Sequence, residues 1–127
     1  MARFDKVDPY AGGFRGLLNA DWLIADVGVV RGVSLNGSGR LVMGGTLVNQ
    51  KGVVALGKIR LAGEPIDAMT NGEIVECAGL AAGTDYYLTT GGVLTATAPA
   101  TGINGIYVGF TVEADRLVVL LQRVQGQ

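Results

Sequence analysis

The chain contains no histidine. That removes the commonest general base, the commonest metal ligand and the one side chain that ordinarily titrates near neutrality. It has a single cysteine, Cys77, so an intrachain disulfide is excluded, together with thiolate zinc sites and Cys-His or Ser-His nucleophile pairs. Cys77 lies in an alternating apolar run and reads as a small buried hydrophobe. Charged residues are only 17% of the chain, against about 25% in an ordinary soluble domain. The net charge of −1 gives no global electrostatic case for nucleic acid or an anionic membrane. No stretch reaches the ~18 apolar residues of a membrane span. The opening, Met1 to Asp8, lacks the apolar core of a secretory signal, so the expected site of synthesis is a cytoplasm that the protein leaves only by lysis.

Site motifs are equally sparse. Glu73 and Glu76 are a carboxylate pair by spacing only, because three residues apart on a strand they point to opposite faces. Gly37-x-Gly39 lacks the third glycine and the following helix of a dinucleotide fingerprint, and no phosphate-loop motif occurs. Tyr86 and Tyr87 are adjacent, hence on opposite faces, and make no single stacking platform. Nothing here provides for catalysis or for a cofactor, and the expectation is a protein that is not an enzyme and works through its surfaces.

What the chain has in quantity is glycine and apolar residues. Its 127 residues include 21 glycines and 49% apolar side chains. A single domain of this size removes roughly two-thirds of its extended-chain surface from water. With so little charge, either two sheets pack tightly or part of the outside is covered by further copies of the chain. The glycines have no three-residue period and separate strand-length apolar runs. Asn36-Gly37, Asn71-Gly72 and Asn104-Gly105 fit the type I′ hairpin turn, which needs positive φ at both central positions. Gly91-Gly92 and Glu113-Ala114-Asp115 predict two more turns. Period-2 alternation predicts strands over 27–35 and 106–112, and 86–90 carries aromatic and β-branched residues. The run Leu117 to Leu121 is apolar on both faces, so it predicts a central or interface strand. Further strands are expected at 40–48, 52–60, 64–69, 73–77 and 92–97, with 78–83 a loop and no helix longer than a turn or two.

Residues 1–25 differ from the rest. They hold the only tryptophan and two of the three phenylalanines, broken by Asp8-Pro9-Tyr10. One reading is an extended N-terminal arm over 1–25, able to reach about 80 Å, followed by a β-domain over 26–127. Phe4, Tyr10, Phe14 and Trp22 are then candidate contact residues, since aromatics dominate interface energetics. The alternative is that these aromatics pack on the open end of the domain. Charge is segregated as well. From Val27 to Gly63 every charged residue is basic, and from Glu64 to Asp115 every one is acidic. In one arrangement a monomer joins the halves internally; in the other a cyclic trimer places one subunit's basic flank on the next one's acidic flank. In that case Arg31, Arg40, Lys58, Arg60, Glu73 and Glu76 are candidate interface residues.

The stretch Gly79-Leu-Ala-Ala-Gly-Thr-Asp-Tyr-Tyr-Leu-Thr-Thr-Gly-Gly-Val-Leu-Thr-Ala-Thr-Ala-Pro99 is similar to a motif of phage virion β-domains. In that motif a loop leads to a Tyr-Tyr-Leu strand, a Gly-Gly turn and a short return strand. The segments 105–112 and 115–121 resemble the ending shared by tail-fibre β-modules and capsid decoration proteins, and 63–75 resembles their preceding strand pair. The resemblance covers roughly residues 52–123, and the chain's brevity favours decoration over a long fibre. It implies an all-β fold, a small β-barrel, β-tulip or sandwich with an N-terminal arm. It also implies a trimer on the outer capsid surface of a virion after synthesis in the host cytoplasm. The implied partners are the major capsid protein and the chain itself, with no nucleic acid, membrane, metal or cofactor. A tail-fibre or baseplate module that binds a host receptor or carbohydrate is the alternative. A non-viral β adaptor or small-ligand barrel is a third reading. No motif in residues 1–26 matches the family, so the contact residues rest on their chemistry alone. If the charged flanks join subunits, sedimentation across a salt series is expected to show association weakening as salt rises; a mass independent of salt excludes that role for them.

Overall fold

Alternation of apolar residues with glycine or polar residues builds ten short strands, seen in a computed structural model that describes residues 13–126. They are β1 (Gly13–Leu17), β2 (Arg31–Leu35), β3 (Leu41–Met43), β4 (Gln50–Val54), β5 (Pro65–Met69), β6 (Asn71–Glu76), β7 (Asp85–Leu88), β8 (Leu94–Thr95), β9 (Asn104–Glu113) and β10 (Arg116–Gln125). Among the described residues the only helical elements are two 3-10 turns, Ile24–Asp26 and Leu47–Asn49. The strands form two antiparallel five-stranded sheets, ordered β1-β5-β4-β2-β3 and β6-β10-β9-β7-β8. The chain is therefore all-β, as expected. Of the expected architectures the sandwich is the one found. The first sheet curls until its edges meet at one bridge, Leu18 to Leu41, but neither sheet closes as a barrel.

The middle of the first sheet is buried on both faces, while β1 and β5 keep one face exposed. Val53 and Val54 are neighbours on β4 with no exposed surface, and alternation sends them to opposite sides. Val53 joins Val30, Val75, Tyr86, Leu88, Ile106, Val108, Leu117 and Val119 in the core between the sheets. Val54 joins Leu18, Trp22, Val33, Leu41, Ile66 and Ala68 in a second core on the far side. The lid of that second core is a ribbon of two segments. Trp22 N donates to the Arg60 carbonyl at 2.7 Å and Arg60 N to the Trp22 carbonyl at 3.3 Å, while Gly63 N donates to the Leu18 carbonyl at 2.7 Å.

This corrects the expected boundary. The expected arm spans 1–25, with the domain starting at 26, but β1 pairs with β5 from Gly13↔Met69 to Leu17↔Pro65 and Trp22 is only 1% exposed. Residues 13–25 belong to the domain because their apolar side chains have a sheet face to cover. Residues 1–12 lie outside the described residues.

The turns follow glycine geometry more than the Asn-Gly pairs. Gly91 and Gly92 both take positive φ, 92° and 85°, and join β7 to β8 as expected. The β9–β10 connection at 113–116 is also the expected turn. Asn36-Gly37 does lie in the β2–β3 turn, but Gly39 carries the positive φ there. Asn36 acts through its side chain, its Oδ1 accepting from Ser38 N at 2.9 Å and Arg40 N at 3.0 Å. The other two pairs are not hairpin turns. Asn71-Gly72 opens β6, one residue after β5, where the chain crosses from the first sheet to the second. Asn104-Gly105 opens β9. A positive φ at Gly72 alone bends a strand without reversing it. Strand lengths were also overestimated. Residues 27–30 and 55–60 are not strand, and β3 and β8 have three and two residues.

The second sheet is built on the β9–β10 hairpin, with β10 central between β6 and β9. Cross-links tie its loops to the first sheet. Gly32 N donates to the Gly92 carbonyl at 2.7 Å, and buried Gln50 Nε2 donates to the Thr89 carbonyl at 2.8 Å. Trp22→Ala is expected to cost about 3–5 kcal/mol in denaturant unfolding, because it empties a core whose cover is held in place by backbone hydrogen bonds and cannot collapse freely. Ile24→Ala, two residues on and 72% exposed, is expected to change stability by less than ~0.5 kcal/mol; equal effects would contradict the burial pattern.

Candidate interaction surfaces

The candidate contact aromatics divide three ways. Phe4 and Tyr10 lie outside the described residues. Phe14 is half-buried on β1 and packs against the second core. Trp22 is wholly inside that core, with Nε1 donating to the Asp26 carbonyl at 3.1 Å. As a capsid-contact residue Trp22 is a correction: its surface is spent on holding the lid, and it has none left for a partner.

The charged candidates do not converge into one patch. Arg31 pairs with Asp26 at 3.0 Å in a half-buried contact, and Arg60 lies 3.7 Å from Glu64. Arg40 is half-buried, with Nη1 donating to the Leu18 carbonyl at 3.5 Å. Lys58 is exposed beside the lid ribbon. Glu76 is exposed at the end of β6, opposite Arg116 of β10. Glu73 lies on β6, and its side chain is outside what is described. Part of the charge segregation is thus neutralised within the chain. Neither Lys58 nor Glu76 has an ion-pair partner among the described residues.

The feature missed in the sequence is the outer face of the second sheet. Leu117 and Val119 of β10 point into the core, so Val118 and Leu120 point out. Ile74, Val118 and Phe110 are in register across β6, β10 and β9, and Asp85 of β7 continues the row. Ile74 is 58% exposed and Val112, two residues beyond Phe110 on β9, 61%. Outward faces of antiparallel sheets are normally polar. The signal was present in the apolar run Leu117 to Leu121, but the run alone did not say which of its faces lacked a cover.

Beyond this row, Tyr87 and Tyr107 meet edge to face with ring centres 5.4 Å apart. The Tyr107 hydroxyl donates to Asp85 Oδ1 at 2.8 Å. The rings border an open recess of about 380 Å³ shared with Pro99, Val124 and Gln125. Burial, then the Asp85 carboxylate, raises the Tyr107 hydroxyl from its ordinary value near 10 to about 12. On the first sheet Arg15 and Asp67 form a two-point pair at 2.8 and 3.2 Å. That hydrogen bonding holds the Asp67 carboxyl below its usual range. Burial raises the Cys77 thiol, which makes it a poorer nucleophile. Among the described residues no three acidic or thiol groups come close enough to hold a metal ion.

With this geometry in hand, comparison with known proteins yields a fold likeness. No protein-family model matches the chain, and no curated protein does. Among solved structures it is similar to a chain described as Mycobacterium phage Patience, at 20% identity and a TM-score of 0.69, covering 97% of each chain. At that identity the likeness shows a shared fold over the whole domain.

The raised Tyr107 hydroxyl gives a spectroscopic test. Folding favours its neutral form, so it contributes stability present below pH 10 and lost as pH rises through about 12. In an alkaline absorbance titration one tyrosine is expected to ionise late, near pH 12, and Asp85→Asn is expected to bring it forward. A late tyrosine unmoved by that substitution would leave burial as the sole cause.

Proposed function

We propose that this chain is a non-enzymatic structural protein of a phage virion, which decorates the outside of the capsid as a trimer and stabilises it. The observation that supports this most is the end-to-end fold likeness to a phage chain of matching length, 97% of each covered. It agrees with the phage virion resemblance of residues 52–123, a separate line of reasoning made on sequence motifs. The absence of histidine, the single buried cysteine and the bare apolar sheet face all suit a protein that acts by binding.

The physics of such a role is linkage. A protein that binds the assembled lattice and not its free subunits stabilises the lattice by mass action. Presentation of several weak contacts by a trimer raises avidity without any single tight site. The capsid contacts are assigned to residues 1–12, with Phe4 and Tyr10 as anchors, since Phe14 and Trp22 are engaged in the domain's own core.

The truncation that tests this removes residues 2–12 and spares β1. It is expected to leave a folded protein, by circular dichroism and melting, that no longer saturates capsids of its phage. Quantitative gels of purified virions are expected to show hundreds of copies. A handful of copies per particle would move the chain to a fibre or baseplate, and a truncated protein that still saturates capsids would exclude the arm as the contact.

A further inference from the structure

The sandwich has two outermost layers, and each presents aliphatic side chains to solvent. On one side is the face of the second sheet, with Ile74, Phe110 and Val112 exposed and Val118 and Leu120 half-buried on β10. On the opposite side is the lid ribbon over the first sheet. There Trp22 points into the core while Leu23, Ile24, Ile59 and Leu61 point out and are largely exposed. Neither patch has a cover among the described residues. Scattered single hydrophobics on a surface are ordinary, but contiguous ones mark contact sites.

Charge distinguishes the two patches. Around the sheet face stand the carboxylates Asp85, Glu76, Glu113 and Asp115, offset by Arg116, which lies 3.8 Å from Glu113. The ribbon carries Lys58, exposed and without an ion-pair partner among the described residues, Arg60, partly engaged by Glu64, and exposed Asp21, whose Oδ1 accepts from Ala62 N. A sheet face set against a copy of itself brings two acidic rims together, which opposes association. Set against the ribbon, the same face meets aliphatic side chains and a cation.

We propose that the outer face of the second sheet is covered by the lid ribbon of a second copy of this chain. Leu23, Ile24, Ile59 and Leu61 of one copy lie on Ile74, Phe110, Val112 and Val118 of the next, and Lys58 reaches the acidic rim at Glu76. The contact is heterologous: each copy offers a ribbon on one side and a face on the other, so repetition closes a ring where the rotation between copies allows it and otherwise extends as a filament. This contact does not rest on the reading above, and the number of copies it joins is read from the test below. Its test is made without capsids, so that the two fail separately.

The experiment is a mixing test on the isolated protein, read by sedimentation. Ile74→Asp removes the face and Ile24→Asp removes the ribbon; both side chains are exposed, and melting curves check the fold. Wild type is expected to be oligomeric and each variant monomeric. Their equimolar mixture is expected to give a one-to-one dimer and nothing larger, because one competent junction survives per pair. Should Ile74→Asp unfold, Val112→Asp on the same face serves in its place. Lys58→Glu and Glu76→Lys are each expected to weaken association, and the double variant to regain it. A wild type that stays monomeric at its highest soluble concentration overturns the proposal. So does an Ile24→Asp variant with the mass of the wild type, or a mixture that remains monomeric.

Discussion

The middle of the first sheet has to be dry on both faces, and most of the structure follows from that. Val53 and Val54 are adjacent and both fully buried, so the sheet needs one cover on each side. The second sheet supplies one. The other has to come from the chain's own non-strand segments, and Leu18 to Trp22 with 56–62 are recruited for it. Antiparallel sheets usually leave one face wet. Here both faces are covered at β4 and β2, and Trp22 is spent on that cover.

That allocation leaves the second sheet exposed. Its inner face is saturated by the shared core, while its outer face keeps Ile74, Phe110 and Val112 in water. The low proportion of charge in the composition thus resolves into two different things. Part is the double burial of one sheet, and part is an apolar surface that a binding protein would be expected to cover. Of the two alternatives drawn from composition, tight sheet packing is seen in the shared core, and a covered exterior belongs to the proposed contact between copies.

The strand pattern was legible in particular places and for a clear reason. Leu117 to Leu121 is central, 106–112 falls inside a longer strand, and Gly91-Gly92 makes its turn, because each depends on neighbours close in sequence. Asn71-Gly72 and Asn104-Gly105 have the same local chemistry as a hairpin turn and became strand starts. What decided them was where the chain had to go next. After β5 it has to pass into the other sheet, and a reversal at Asn71 would have returned it to the sheet it was leaving. The N-terminal aromatics misled in a similar way: exposure on an arm and burial under a lid ask for the same residues.

The sequence by itself determined the class of fold, since period-2 alternation and glycine punctuation are local and admit few alternatives to short antiparallel strands. It also determined the chemistry available, since no fold supplies a histidine or a second thiol that the chain lacks. Only the tertiary structure decided which of those strands share a sheet, that residues 13–25 are domain and not arm, and which apolar surface is left bare. Those are questions of which face meets which, and burial is a property of residues brought together from far apart in the chain, where the pattern of any one segment carries no information about its cover.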